Sequence, residues 1–127
     1  MAFGRQTTAR LVKPLTGAIT QRATLGATTE AGELVTMQSD GYWDPTITTG
    51  VQLTVAIAVQ GGVAGDAIDI VTHGPVSCLI EATPGTLIYA SDTAGEPSET
   101  AGTKDLVAGW AKTTTVLYVD PQIIDFS

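Results

Sequence analysis

Across residues 51–91 apolar and polar positions alternate in short runs, cut by glycine and proline. Leu53, Val55, Ile57 and Val59 fall on one side of an extended chain, with Thr54, Ala56 and Ala58 on the other. That is the period-two pattern of a half-buried strand. Gly61, Gly62, Gly65 and Asp66 supply a turn. A second alternating run opens at Asp66-Ala67-Ile68-Asp69-Ile70 and is predicted to stop at a His73-Gly74-Pro75 corner. Val76, Cys78 and Ile80 share a face in a third run. Thr83-Pro84-Gly85 closes it, and Leu87-Ile88-Tyr89 follows.

The same rhythm extends to both sides. Glu33–Gln38 alternates as a strand, Ser39-Asp40-Gly41 is a turn, Tyr42-Trp43 is a short apolar step, and Asp44-Pro45 is predicted to open another turn. Ser91–Asp105 is a polar loop without periodicity, in which Asp92, Glu96 and Glu99 read as solvated acids. Leu106–Ala111 and Thr115–Val119 are two more strands around a Lys112-Thr113-Thr114 turn, and Pro121 is expected to stop the second, leaving Ile123, Ile124 and Phe126 as an apolar tail. No 11-residue window carries helical apolar spacing. Short strands with breakers between them predict an all-β fold, a small antiparallel β-barrel or sandwich.

Composition adds little to the fold but more to the organisation. The chain of 127 residues is one domain's worth. Cys78, the single cysteine, has no internal disulfide partner and reads as a small buried hydrophobe. The longest apolar run is the five residues Val55–Val59, far below the roughly 18 that span a bilayer, so no membrane partner is expected. Only 15% of residues are charged, against about 25% in an ordinary domain, a composition that fits a surface partly covered by other subunits and equally a plain Thr- and Ala-rich exterior. Residues 1–29 carry Arg5, Arg10, Lys13 and Arg22 and no acid. The remainder carries thirteen acids against Lys104 and Lys112, a net of −11 within the formal −7. The reading is an extended basic N-terminal arm (1–26) on an acidic β-body (27–127), the arm unable to fold alone and laid across a neighbouring protein, with a frayed, solvated terminus as the alternative. Its four bases are the candidate contacts. Nucleic acid is disfavoured, because so acidic a body repels phosphates.

The chemistry expected is none. His73 is the only histidine, in a turn, so any triad must use it. No zinc spacing occurs, and Gln60–Asp66 lacks the Lys-Ser/Thr of a phosphate loop. Asp66 and Asp69 point to opposite faces of a strand, and Asp40 and Asp44 lack the companions of a calcium loop. No enzyme, metal or cofactor is read here. Tyr42, Trp43 or Trp110, if exposed, suit a carbohydrate- or receptor-binding module, the alternative reading.

With these elements in order, residues 30–119 resemble the small capsid decoration (cement) proteins of tailed bacteriophages, in particular the small proteins encoded beside the major capsid gene. The resemblance rests on Ala31-Gly32-Glu33-Leu34-Val35, then Val55-Ala56-Ile57-Ala58-Val59 with its glycine turn, then Ala64-Gly65-Asp66-Ala67-Ile68. Next come His73-Gly74-Pro75-Val76, Pro84-Gly85-Thr86-Leu87-Ile88-Tyr89, Val107-Ala108-Gly109-Trp110-Ala111 and Val116-Leu117-Tyr118-Val119. It implies a non-enzymatic virion protein on the outer capsid surface, bound to the major capsid protein, clustered as a homotrimer at or near three-fold positions, and stabilising the expanded head. On that reading the arm runs along a capsid subunit or a sister protomer, and its deletion leaves the body folded.

Overall fold

A computed structural model describes residues 3–46, 55–102 and 105–125; Leu53 and Thr54 of the first run, Lys104 and Phe126 lie outside them. The fold is all-β. Among the described residues twelve strands follow in chain order: β1 Gly4–Arg5, β2 Lys13–Pro14, β3 Ile19–Thr24, β4 Leu34–Met37, β5 Trp43–Pro45, β6 Ala56–Ala58, β7 Ala67–Ser77, β8 Leu79–Ile80, β9 Leu87–Ala90, β10 Pro97–Ser98, β11 Asp105–Ala111 and β12 Val116–Asp125. The only helical piece among the described residues is a single 3-10 turn, Ala9–Leu11.

The main sheet runs β10-β9-β11-β12-β7-β6-β4-β5, all antiparallel, with β2 and β3 also pairing β7. It curls on itself. At the far edge Trp43 of β5 bridges back to Leu25, just past β3, and the Gly26 N–H donates to the Trp43 carbonyl at 2.9 Å. The curl puts apolar layers on both faces of β4, β6 and β7. Leu34, Ile57 and Val71 face a main core with Ile88, Leu106, Leu117 and Val119. Val35, Ala56, Ala58, Ile68 and Ile70 face a smaller one with Ala23, Leu25 and Trp43. The first run is therefore a strand buried on both sides, not half-buried. Its alternation sorts large side chains to one core and alanines to the narrower one.

The long strand β7 is the hinge of the architecture, and the predicted corner at His73-Gly74-Pro75 is a bend inside it. Residues 67–73 pair with β3, while residues 74–77 pair with β12. Gly74 sits at φ +99°, where a Cβ would lie 2.8 Å from Ala18 Cα and from the Gly17 carbonyl oxygen. Only glycine admits that turn of hand and that approach. Strands commonly change sheets at such a bend.

Pro121 does not stop β12, which continues to Asp125 against β11. The register slips between Val107 and Gly109, so that Asp120 and Pro121 fall in the irregularity, where a missing N–H costs no ladder bond. Asp44-Pro45 likewise is strand, not turn, because β5 is an edge and Pro45 needs no outward donor. Beyond Ser77 the alternation breaks. Cys78 and Leu79 both donate backbone N–H groups to the Thr115 carbonyl at 3.0 Å, and both side chains are buried.

Residues 4–24 are three short strands separated by the 3-10 turn and a further turn, and they lie along their own chain. β1 pairs β8, β2 pairs the end of β7, and β3 pairs β7 through six positions. Val12 enters the main core; Ala23 and Leu25 enter the small one. The accessible surface, 6036 Å² for 13.1 kDa, agrees with this, since a folded monomer of that mass exposes about 6,400 Å².

Candidate interaction surface

The four bases of the N-terminal segment divide into two pairs. Arg5 is nearly covered, its side chain 9% exposed, and is spent within the chain. Its Nε donates to Glu96 Oε2 at 2.6 Å, one terminal nitrogen to Glu30 Oε1 at 2.5 Å, and the other to the Ala31 carbonyl at 3.3 Å. Glu33 Oε2 stands 4.0 Å away. Burial works against the guanidinium's charge, but the hydrogen bonds to Glu96 and Glu30 outweigh it and hold the pKa above its ordinary value. Burial pushes the Glu33 carboxyl up; its bond from the Glu30 backbone N–H and the charge of Arg5 pull the other way. The chain reaches this cluster because Gly32, at φ +90°, has no Cβ to strike the Gln6 carbonyl oxygen 2.8 Å away. Arg22 pairs with Asp69 at 3.0 Å on the surface, across the β3–β7 ladder.

Arg10 and Lys13 are exposed and make no ion pair among the described residues. The same segment, residues 10–19, also carries the exposed apolar side chains Leu11, Leu15 and Ile19, the last 59% exposed. This basic and apolar strip faces outward from a body that is otherwise acidic. Sequence reasoning picked the bases as contacts and gave these aliphatic residues no such role, because no spacing signals their exposure.

The described part of the polar stretch, residues 91–102, contains the short strand β10 and is fastened to the body. Leu34 N–H donates to the Gly95 carbonyl and Gly95 N–H to the Thr46 carbonyl, at 2.9 and 2.7 Å. Glu96 holds Arg5, and Glu99 Oε2 accepts from the Thr83 N–H at 2.8 Å. These two acids, read as solvated, are tethers.

The aromatic residues also divide. Trp43 is 6% exposed and fills the small core; Trp110 is 37% exposed and stacks on Tyr118, ring centroids 5.1 Å apart and planes inclined by 19°. Tyr42 is exposed at a turn whose Asp40 Oδ1 accepts the Tyr42 N–H at 3.0 Å. Asp44, beside it, has its carboxyl pushed up by burial and by the charge of Asp40. No group of metal-ligating side chains stands together among the described residues.

His73 is exposed and lines a cleft of about 390 Å³ with Gln21, Met37, Trp43, Val55, Thr72 and Pro121. Among the described residues, this lining offers the imidazole no carboxylate, serine or cysteine. The Thr72 hydroxyl donates to the Ile19 carbonyl at 3.3 Å. Cys78 is fully buried, and burial pushes its thiol up to about 12.

No protein-family model matches the chain, and no curated protein matches it.

Proposed function

We propose that this chain is a structural, non-enzymatic virion protein that binds the outer surface of a tailed-phage capsid and stabilises the expanded head. The ordered motifs set out above carry the resemblance. The observation that favours it among the described residues is the outward strip of Arg10, Leu11, Lys13 and Ile19 on a net acidic body. Such a strip suits lateral contact with another protein: aliphatic side chains supply area, and the two bases supply register and discrimination. A protein that binds only the assembled, expanded shell stabilises that state by linkage, with no chemistry required.

The test is co-sedimentation with bare expanded shells, comparing the intact chain with the Arg10→Glu/Lys13→Glu double variant. Both positions are exposed, so the fold is unaffected. Saturable binding in fixed ratio to capsid protein, lost on charge reversal, is the expected result. Equal binding by both forms eliminates the strip, and no binding by the intact chain eliminates the capsid reading. The alternative, a carbohydrate- or receptor-binding module, keeps only Trp110 and Tyr42 as stacking candidates, since Trp43 is in the core. One face of Trp110 is already taken by Tyr118.

A further inference from the structure

Residues 3–6 stand apart from the rest of the fold. β1 pairs β8, and the two form a two-stranded sheet off the main path. The ladder sets Gly4 opposite Ile80 and Arg5 opposite Leu79, and one further bond runs from the Gln6 N–H to the Cys78 carbonyl at 2.7 Å. No residue from Phe3 to Gln6 is fully buried; Phe3 packs half-buried on the margin of the main core. Thr7 and Thr8 are then exposed, and the next described side chain to enter that core is Val12.

So short a ladder holds a strand poorly, since an isolated pair of strands is marginal in water. The side chain that reaches beyond β8 is Arg5, the only charged residue of the four. Its guanidinium joins two separate segments, Glu30 ahead of β4 and Glu96 ahead of β10, and adds the Ala31 carbonyl between them. A planar fork of donors suits that task, and charge-assisted bonds are the strong ones. On the other side of β8 the backbone is tied to the body. The Cys78 and Leu79 N–H groups donate to the Thr115 carbonyl, and the Ala82 N–H donates to the Thr114 carbonyl at 2.9 Å. β8 therefore keeps its place without β1, and no strand of the main sheet loses a partner.

We infer that residues 3–6 are a strap that opens as a unit about Thr7 and Thr8 while the body stays folded, and that Arg5 is its latch. Opening bares the edge of residues 78–80, an apolar Cys-Leu-Ile step with no proline in it. An uncovered edge of that kind invites pairing with another chain, so the closed strap is a guard. Opening also withdraws Gln6 from the wall of a cleft of about 630 Å³ that it lines with Leu79, Glu81 and Thr115. None of this rests on the capsid reading.

Native-state hydrogen exchange on the full chain, followed by NMR at neutral pH in urea below the unfolding transition, tests the strap directly. A local opening exposes little surface, so its exchange is almost independent of urea, whereas amides freed only by global unfolding speed up steeply. The reporter is the Gln6 amide. It is compared with Leu79, bonded on the far side of β8, and with Ala58 and Ala111, bonded to the Glu33 and Thr86 carbonyls in the body. Gln6 is expected to be protected, but at least about tenfold less than those three, with no urea slope. Arg5→Ala is expected to speed Gln6 exchange at least about tenfold, still without slope. Arg5→Lys is expected to do so by less, because an ammonium keeps the charge but not the fork. Four outcomes overturn the inference. Gln6 following the urea slope of the body makes the segment part of one cooperative unit. Leu79 exchanging together with Gln6 places β8 inside the moving piece. An unprotected Gln6 in the intact chain leaves nothing latched, and a rate unchanged by Arg5→Ala removes Arg5 as the latch.

Discussion

Deleting residues 1–25 is expected to unfold the protein rather than to trim a tail. The deletion removes Val12 and Leu25, 4% and 1% exposed, and Ala23, 5% exposed. Full burial of a valine or leucine side chain contributes about 1.5–3 kcal/mol each, and a buried methyl about 0.8. The lost side chains alone amount to about 4–7 kcal/mol. The loss of β3 also strips the ladder from residues 67–73 and opens the small core around Ile68 and Ile70. Net stabilities of domains are only about 5–15 kcal/mol, so the truncated chain falls near or below the folding threshold. Single substitutions in the full chain measure the same effect without erasing the fold. Leu25→Ala is expected to cost about 3 kcal/mol and Val12→Ala about 2, read from urea midpoints at unchanged m. If the 26–127 fragment melts cooperatively, within about 1 kcal/mol of the intact chain, the N-terminal strands are not part of the core and the reasoning fails. The point bears on function, because lost shell binding by such a fragment reports unfolding, not a lost contact. The Arg10/Lys13 reversal is free of that confusion.

Three further outcomes follow from individual sites. Gly74→Ala is expected to destabilise by more than about 2 kcal/mol, from positive φ and backbone overlap at Ala18, and thermal melts read it directly. Cys78, with its thiol pushed from 9.0 to about 12 by burial, holds its proton in the folded chain where the unfolded chain releases it. Stability is therefore intact below about pH 9 and falls as pH rises toward 12. Urea melts from pH 8 to about 11 are expected to show that slope, and Cys78→Ala to flatten it. Arg5→Ala leaves Glu30, Glu33 and Glu96 without their shared cation and is expected to cost about 2 kcal/mol. Adding Glu33→Gln is expected to recover part of that loss, so a double-mutant cycle with no coupling contradicts the cluster.

Fold class was legible because period-two alternation is local, and each strand carries its own record of it. Glu33–Gln38, Leu87–Tyr89 and Leu106–Ala111 all fall on strands, although burial alternates only along Leu87–Ala90; Leu34–Thr36 and Leu106–Gly109 are buried without a break. What one strand cannot record is a second layer. Alanines at 56 and 58 read as an outer face because a small side chain is tolerated inside or outside, and the layer that covers them arrives with Leu25 and Trp43. The prolines misled for a related reason. Pro45 and Pro121 mark places where an N–H is not needed, and an edge or a register slip meets that condition as well as a strand end does. The Arg5 cluster joins residues 91 positions apart, with a loop glutamate as chief partner, and no spacing encodes it. Gly32 was the available signal: a glycine between Glu30 and Glu33, required by the close passage of Gln6.

The edges of the sheet decide how this body can meet a partner. The path ends in β10 and β5, and β2 lines the second half of β7. Each of the three is two or three residues long, and each contains a proline: Pro97, Pro45 and Pro14. Short edge strands with proline resist the addition of a further strand, because there is little ladder to extend and a donor is missing. The longer edge β3 carries the exposed Arg22–Asp69 pair beside it. Strand addition is thus discouraged, and association must pass through side chains on faces. The two outward surfaces that remain are the basic aliphatic strip on residues 10–19 and the stack of Trp110 on Tyr118. Folding the N-terminal segment onto its own body serves both: it spends Arg5 and Arg22 on internal carboxylates, covers the edge of β7, and presents Arg10 and Lys13 on a rigid support. A strip held rigid before binding forfeits less conformational entropy than a free arm that orders only on contact. On the proposed capsid reading, Arg10 and Lys13 are the more effective contacts because the rest of the segment is folded in.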